Sequence, residues 1–252
     1  MLGQYAFETH ESADVLNERF RRNPKGWPVW LGEQFELQPD MDILALGYCD
    51  GVLWKKVCDR MPRGCRLVLA DSSEEMSGLA RADLSDAGVE VCFDRVDMQG
   101  LPYEAEQFDV VVANNIYEAD NPGEMLAQIA RVLRRSGVLY AAAVGDTHQR
   151  ELYRIAQRFS RGRWRESITE SFRLENGSEF LESHFSRCSV KRYDDELVVS
   201  EVQPLVSYIK SLPGILLEDE SEDALRRYLE REIQTLGHIL ITRDAGVFVA
   251  RK

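Results

Sequence analysis

Short apolar stretches alternate with helical patterns along the chain from residue 42 onward. Near-continuous apolar stretches are typical of strands buried on both faces, and longer stretches with a 3.6-residue period favour covering helices. This alternation predicts β-α-β units in a parallel sheet. The predicted strands are 42–47, 66–71, 89–93, 108–113 and 138–143.

Capping signals predict two helices between these strands. Ser72 or Ser73 can cap the first helix, which runs to about residue 86. Asn121 and Pro122 supply an N-cap and a proline at the first helical position, and the second helix is predicted to end near Arg135.

The C-terminal part combines further helical patterns with a closing β segment. Strands 238–242 and 246–250 are predicted to form a pair joined by a turn at 243–245. The predicted helices of this part are 147–160, 201–211 and 221–236.

Together these elements predict an α/β fold, a Rossmann-like and mostly parallel seven-stranded sheet with helices on both faces. We expect an N-terminal helical flap over residues 1–40, a core over 41–145, and the rest of the sheet with substrate-side insertions over 146–252. In the flap, Tyr5, Trp27 and Trp30 could close an aromatic lid, although an amphipathic helix packed on the core would have the same pattern.

Charge and hydropathy narrow the classes of partner. The chain has 43 acidic against 31 basic residues and a net charge of −12, so it lacks the positive field that attracts nucleic acids. No apolar stretch approaches the length of a bilayer span, and the first residues do not resemble a secretory signal. We therefore expect a cytoplasmic protein without nucleic-acid or membrane partners, and the sequence leaves a homo-oligomer open. The local exception is a basic run that suits an anionic substrate or a solvated helix end, Arg158, Arg161, Arg163 and Arg165.

The five cysteines give no evidence of a metal site or a disulfide framework. Their number is odd and no Cys-x-x-Cys pair is present, whereas zinc sites and small disulfide-stabilised folds have characteristic spacings. We predict reduced thiols and no bound metal.

Four predicted strand ends carry residues suited to a nucleoside ligand, which binds at the carboxyl ends of parallel strands. At the first end, Gly47 and Gly51 flank a turn that contains Tyr48, and glycine lets the backbone approach a ligand closely. At the second end, Asp71 could accept hydrogen bonds from two vicinal ribose hydroxyls, with Ser72 directly after it.

The third and fourth ends extend the same predicted crevice. Asp97 could accept a hydrogen bond from an adenine amine while Met98 packs on the ring, and Asn114 ends the central strand. Taken alone, Asp71 and Asp97 would equally suit turn or N-cap positions.

Several segments together carry a family resemblance. Residues 43–51 resemble a glycine-rich first motif, and 71–76 resemble a ribose-binding turn followed by a helix. Residues 97–111 are similar to an adenine motif with its "LPF" continuation, and 129–137 to the stretch before a fifth strand. These are the motifs of the class I, Rossmann-like methyltransferases of the small-molecule type, which depend on S-adenosylmethionine (SAM).

This resemblance implies SAM as cofactor and methyl transfer to an O, N or C nucleophile of a small molecule. His148, which follows the fifth strand, is a candidate general base because imidazole changes charge near neutral pH. An ordinary surface or capping histidine would look the same. The cofactor-binding residues that the resemblance implies are Gly47, Tyr48, Gly51, Asp71, Ser72, Met76, Asp97, Met98 and Asn114.

Two positions depart from the family pattern. Ala45 stands at the usual acidic position of the first motif, and Cys49 stands at its middle glycine. They leave open a catalytically degenerate member that acts as a binding or interaction module. A nucleotide-dependent oxidoreductase is disfavoured because the first turn lacks Gly-x-Gly-x-x-Gly.

Overall fold

The computed structural model describes residues 15–47, 51–72, 78, 80–82, 84, 88–97, 100–114, 116, 121–160, 172–212 and 215–252. Among these residues the strands are β1 Asp42–Leu46, β2 Arg66–Asp71, β3 Glu90–Arg95, β4 Phe108–Ala113, β5 Leu133–Val144, β6 Arg187–Val199 and β7 Ile239–Arg251. The helices are α1 Trp27–Gly32, α2 Val52–Cys58, α3 Pro122–Val132, α4 Arg150–Phe159, α5 Gly177–Glu182, α6 Val202–Ser211 and α7 Asp219–Leu236. Residues 15–20 are also helical.

The seven strands form one sheet in the order β3-β2-β1-β4-β5-β7-β6. The pairs from β3 through β5 are parallel, and β7 pairs antiparallel with β5. The strand order reverses direction between β1 and β4, which is where doubly wound sheets open a crevice for ligands. The predicted fold class is therefore confirmed.

Alternate residues of the central strands pack into two different apolar cores. Leu44 and Leu46 belong to one core, and Ile43 and Ala45 belong to the other. Because successive strand side chains point to opposite faces, both faces of the sheet are buried. This explains why β1 and β4 read as nearly continuous apolar stretches.

The chain divides into two compact units. Unit 1 comprises residues 1–26, 146–169 and 194–244, and unit 2 comprises 27–145, 170–193 and 245–252. A third apolar core lies entirely within unit 1 and includes Leu152, Leu205, Leu225 and Ile241. Each unit is therefore assembled from stretches that are far apart in the sequence.

The predicted helix end near Arg135 is wrong, because α3 ends at Val132 and β5 begins at Leu133. The pairing of β5 with β4 shifts register between Phe108 and Val110. Gly137 permits this irregularity, since a Cβ there would lie 2.9 Å from the Arg134 carbonyl oxygen.

The predicted turn at 243–245 is also wrong, because β7 runs unbroken from Ile239 to Arg251. Gly246 lies within this strand. A Cβ at this position would lie 2.6 Å from the Lys191 carbonyl oxygen of β6. Glycine inside a strand often marks such a close backbone approach rather than a break.

The structure places the aromatic residues of the predicted flap against the sheet of unit 2. Trp27 and Trp30 of α1 stack with ring centroids 5.3 Å apart, and both lie within 5.4 Å of the Tyr193 ring. The two tryptophans are half-buried against the core that contains Ala45. Tyr5 lies outside the described residues.

Candidate functional site

Gly47, Asp71 and Asn114 lie in one row across three neighbouring strands of unit 2. Leu46 of β1 pairs with the residues that immediately precede Asp71 and Asn114. The Gly47 amide donates to the Ala70 carbonyl and the Asn114 amide to the Leu46 carbonyl, each at 3.1 Å. Because adjacent strands lie about 4.8 Å apart, the three residues share one stretch of the carboxyl edge.

Gly47 and Gly51 have backbone conformations that favour glycine. Gly47 has a φ of 65° and Gly51 a φ of 87°, both in the left-handed region. Gly51 precedes α2 and is buried, and a Cβ there would lie 3.1 Å from Ala80. Position 51 therefore needs glycine both for its conformation and for its contact.

The Asn114 side chain is the polar group that most directly indicates a ligand. Its Oδ1 atom is buried and has no hydrogen-bond partner among the described residues. Leaving a buried polar atom unsatisfied costs about 1–3 kcal/mol, so native structures usually provide a partner. A ligand hydroxyl or amine at this edge would supply the missing donor.

Asp71 and Asp97 approach the same edge from β2 and from the segment after β3. Asp71 is only 9% exposed, whereas Ser72 and Asp97 are exposed. The Val96 amide donates to the Asp71 carbonyl at 3.0 Å, which ties the segment before Asp97 to the end of β2. The arrangement offers one buried and one exposed carboxylate.

Arg131 of α3 anchors the loop that follows Asp97. Its Nη1 donates to the Tyr103 carbonyl at 2.7 Å, and its Nη2 donates to the Leu101 carbonyl at 2.8 Å. The Tyr103 hydroxyl donates to Asp94 of β3 at 2.9 Å, and burial raises the pKa of this phenol. The predicted motifs at 97–111 and 129–137 are therefore joined by the hydrogen bonds from Arg131.

His148 lies in unit 1, in the turn of residues 146–149 that follows β5, and it is half-buried. Neighbouring residues of this turn are held by described groups of the same unit. The Thr147 hydroxyl donates to Asp244 at 2.8 Å, and the Gln149 amide donates to the Thr242 carbonyl at 2.8 Å. The other described candidates lie in unit 2.

Some predicted site residues lie outside the described residues, namely Tyr48, Met76 and Met98, together with Cys49 and Arg161, Arg163 and Arg165 of the basic run. Within the described part of the chain, no group of acidic, histidine or cysteine residues could hold a metal ion. No helix described there is both long and apolar enough to cross a membrane.

Sequence analysis missed the residues that support the site from a distance. Ala80 packs on Gly51, Arg131 anchors the loop after Asp97, and Tyr208 holds Gln149 beside His148. A small residue in a helix carries no detectable signal of such a role. The pairing of Tyr208 with Gln149 spans 59 positions, so no local pattern could show it.

Residues 43–137, which contain every strand-end candidate described above in unit 2, match the family model described as "Methyltransferase domain". This part of the chain is therefore similar to a methyltransferase domain. The match ends before unit 1 resumes at residue 146. The match therefore includes the strand-end candidates of unit 2 and leaves His148 outside it.

Curated relatives and solved structures agree with this assignment. The chain is 28% identical over 136 residues to a ubiquinone biosynthesis O-methyltransferase of Sinorhizobium medicae. These 136 residues are 53% of this chain and 50% of that protein. The chain thus matches about half the length of this relative. The fold of the chain resembles the structure of a putative methyltransferase from Bacillus halodurans, with a TM-score of 0.62 at 14% identity. The superposition covers 90% of this chain and 98% of that one.

A third similarity is to phosphoethanolamine N-methyltransferase 2 of Haemonchus contortus, in complex with phosphomonomethylethanolamine and S-adenosylhomocysteine. The TM-score is 0.56 at 16% identity, covering 96% of this chain and 56% of that one. At this identity the two structures share the fold.

SAM is the cofactor that the methyltransferase domain implies, and the described residues fit it. The buried Asn114 Oδ1 lacks a donor among the described residues, and the backbone of Gly47 and of Gly51 is not covered by a β-carbon. Asp71 adds a buried carboxylate at the end of β2. A nucleoside with hydroxyl and amine donors has the complementary chemistry.

Proposed function

We propose that this protein transfers a methyl group from SAM to an O, N or C nucleophile of a small molecule. The observation that carries the proposal is the row of Gly47, Asp71 and Asn114 at the carboxyl edge of a methyltransferase domain, with the unsatisfied Asn114 oxygen in it. The curated relative is an O-methyltransferase, which supports oxygen as the first acceptor atom to test.

In this proposal the chain's own residues bind and orient, since SAM supplies an activated methyl group when bound. Asp71 accepts hydrogen bonds from the ribose, Asp97 accepts one from the adenine amine, and Asn114 accepts one through its buried oxygen. Methyl transfer is an in-line displacement, so fixing the reactants and excluding water supplies much of the rate. A base is needed only where the acceptor must lose a proton, and His148 is our candidate.

The first experiment is calorimetric titration of the wild-type protein with SAM and with S-adenosylhomocysteine, followed by Asp71→Ala. Loss of hydrogen bonds to a charged group costs about 1.5–3 kcal/mol, which corresponds to roughly 10–100-fold weaker binding. The matched control is Glu90→Ala, which removes an exposed carboxylate from the amino end of β3 and should leave the affinity unchanged. Equal affinities for wild type and Asp71→Ala would contradict the assigned role of Asp71.

A second candidate function is that of a binding or interaction module without catalysis. The observation in its favour is Ala45, which puts a fully buried methyl group where the family pattern has an acidic residue. The same titration separates the two candidates. Failure of the wild-type protein to bind either nucleoside would favour the module, whereas micromolar binding followed by labelled methyl transfer in an acceptor screen would exclude it.

A further inference from the structure

The turn that carries His148 is locked by a buried pair of side chains in unit 1. The Tyr208 hydroxyl of α6 donates to Gln149 Oε1 at 2.6 Å. Tyr208 is 5% exposed and Gln149 is 6% exposed. Gln149 directly follows His148, so this hydrogen bond fixes the side chain of the residue next to His148 in the chain.

The backbone of Gln149 is unusual for its residue type. It has a φ of 53°, in the left-handed region that residues with a β-carbon rarely adopt. Its amide still donates to the Thr242 carbonyl at 2.8 Å. Such a conformation persists only when its surroundings determine it, and residues of this kind cluster at functional sites.

Stability alone does not account for this combination. Glycine would adopt the same backbone at lower cost, but it would lack the amide side chain that Tyr208 holds. The chain instead keeps glutamine, in a strained backbone, at the position where its side chain reaches a buried phenol. The left-handed backbone of Gln149 and its hydrogen bond to Tyr208 therefore occur together at one residue.

The helix that presents Tyr208 is itself rigidly placed. Leu205 and Ile209 of α6 are fully buried in the core of unit 1. Burial also raises the pKa of Tyr208, so the phenol remains a hydrogen-bond donor throughout the neutral range. A fixed donor on a buried helix can define the position of the turn.

We propose that Tyr208 and Gln149 are positioning residues that set the orientation of the His148 imidazole. The inference rests on the proposed function, in which His148 serves as the general base. Neither residue is assigned a contact with the acceptor or with SAM. Their role is to hold the turn in the one conformation from which the imidazole accepts a proton.

The test compares how fast His148 is modified by diethylpyrocarbonate, followed by peptide mass spectrometry, in the full-length wild type and in Tyr208→Phe. Loss of one hydrogen bond, worth roughly 1.4 kcal/mol, should increase the population of the open turn about tenfold. The rate at which His148 is modified should increase by the same factor. Gln149→Gly removes the same hydrogen bond while relieving the backbone, and we expect a similar increase. His184 and His238 are internal references whose rates should not change.

The matched control is Tyr228→Phe, because Tyr228 belongs to the same unit and packs on Phe159 with ring centroids 5.4 Å apart. Thermal unfolding of each variant separates local opening from loss of the fold. An unchanged His148 rate in folded Tyr208→Phe would overturn the inference. Failure of the wild type to bind SAM would overturn the proposed function instead, and the two failures are seen in different measurements.

Discussion

At the scale of single residues, the structure distinguishes polar groups that stabilise the fold from those that await a ligand. Asn114 belongs to the second kind, since its buried oxygen lacks a donor among the described residues. Glu151 belongs to the first kind. Its carboxylate accepts hydrogen bonds from the Thr242 amide at 3.0 Å and from the Thr242 hydroxyl at 2.9 Å.

Glu151 makes a testable contribution to stability in acid. Burial opposes its ionisation, but the hydrogen bonds from Thr242 and Arg150 prevail and lower the pKa. A carboxylate with a lowered pKa in the folded state stabilises above the unfolded value of about 4.3 and loses this effect as the pH falls through the folded value. Glu151→Gln should therefore lower the free energy of unfolding by about 1–2 kcal/mol at neutral pH.

The check is urea denaturation of wild type and Glu151→Gln at several pH values. The difference between the two should shrink below pH ~4.3. Glu230→Gln, which alters an exposed glutamate of α7, is the control and should track the wild type. A difference that stays constant with pH would contradict this account of Glu151.

At the scale of elements, the sequence pattern correctly predicted those strands whose apolar residues are contiguous in the chain. The buried strands β1, β2 and β4 were placed correctly because their apolar stretches are bounded by charged or turn-forming residues. β6 was not predicted, since most of its first six residues are exposed. The apolar alternation that marks a half-buried strand is therefore weak there.

The same limit applies to the site. Gly47, Asp71 and Asn114 could be predicted because each directly ends a recognisable strand. The strand break at 243–245 was predicted wrongly because the glycine that follows it gives the same signal whether a chain reverses or a neighbouring strand comes close. Only the contact with Lys191 distinguishes the two cases.

Gly51, which directly precedes α2, gives a prediction at this scale. Gly51→Ala introduces both left-handed strain, roughly 1–2 kcal/mol, and a contact of 3.1 Å with Ala80. Gly88→Ala is a matched control, because Gly88 has a φ of 66° but no atom of the described residues lies within 4 Å of an added Cβ. Gly51→Ala should destabilise the protein more than Gly88→Ala and should also weaken S-adenosylhomocysteine binding. Equal effects of the two substitutions on stability and affinity would show that the contact with Ala80 is unimportant.

At the scale of the whole molecule, the apolar cores follow the division into units. Leu225 is fully buried in the core of unit 1, and Leu126 is fully buried in a core of unit 2. Each unit thus has an interior of its own, although each is assembled from three separate stretches of chain.

This division predicts separable local stability. Removing most of a buried leucine side chain costs about 2–5 kcal/mol. Leu225→Ala should therefore speed amide hydrogen exchange in α4, α6 and α7 while β1 and β4 keep their protection. Leu126→Ala should give the converse pattern. Uniform loss of protection in both variants would show that the units unfold together.

β7 contributes to both units, because residues 239–244 belong to unit 1 and 245–251 to unit 2. Side chains of a strand alternate between its faces, so deleting one residue near Asp244 would keep the facing of one part and invert the other. We therefore expect a deletion of two residues in β7 to disturb side-chain burial less than a deletion of one, because only the former keeps the facing of both parts.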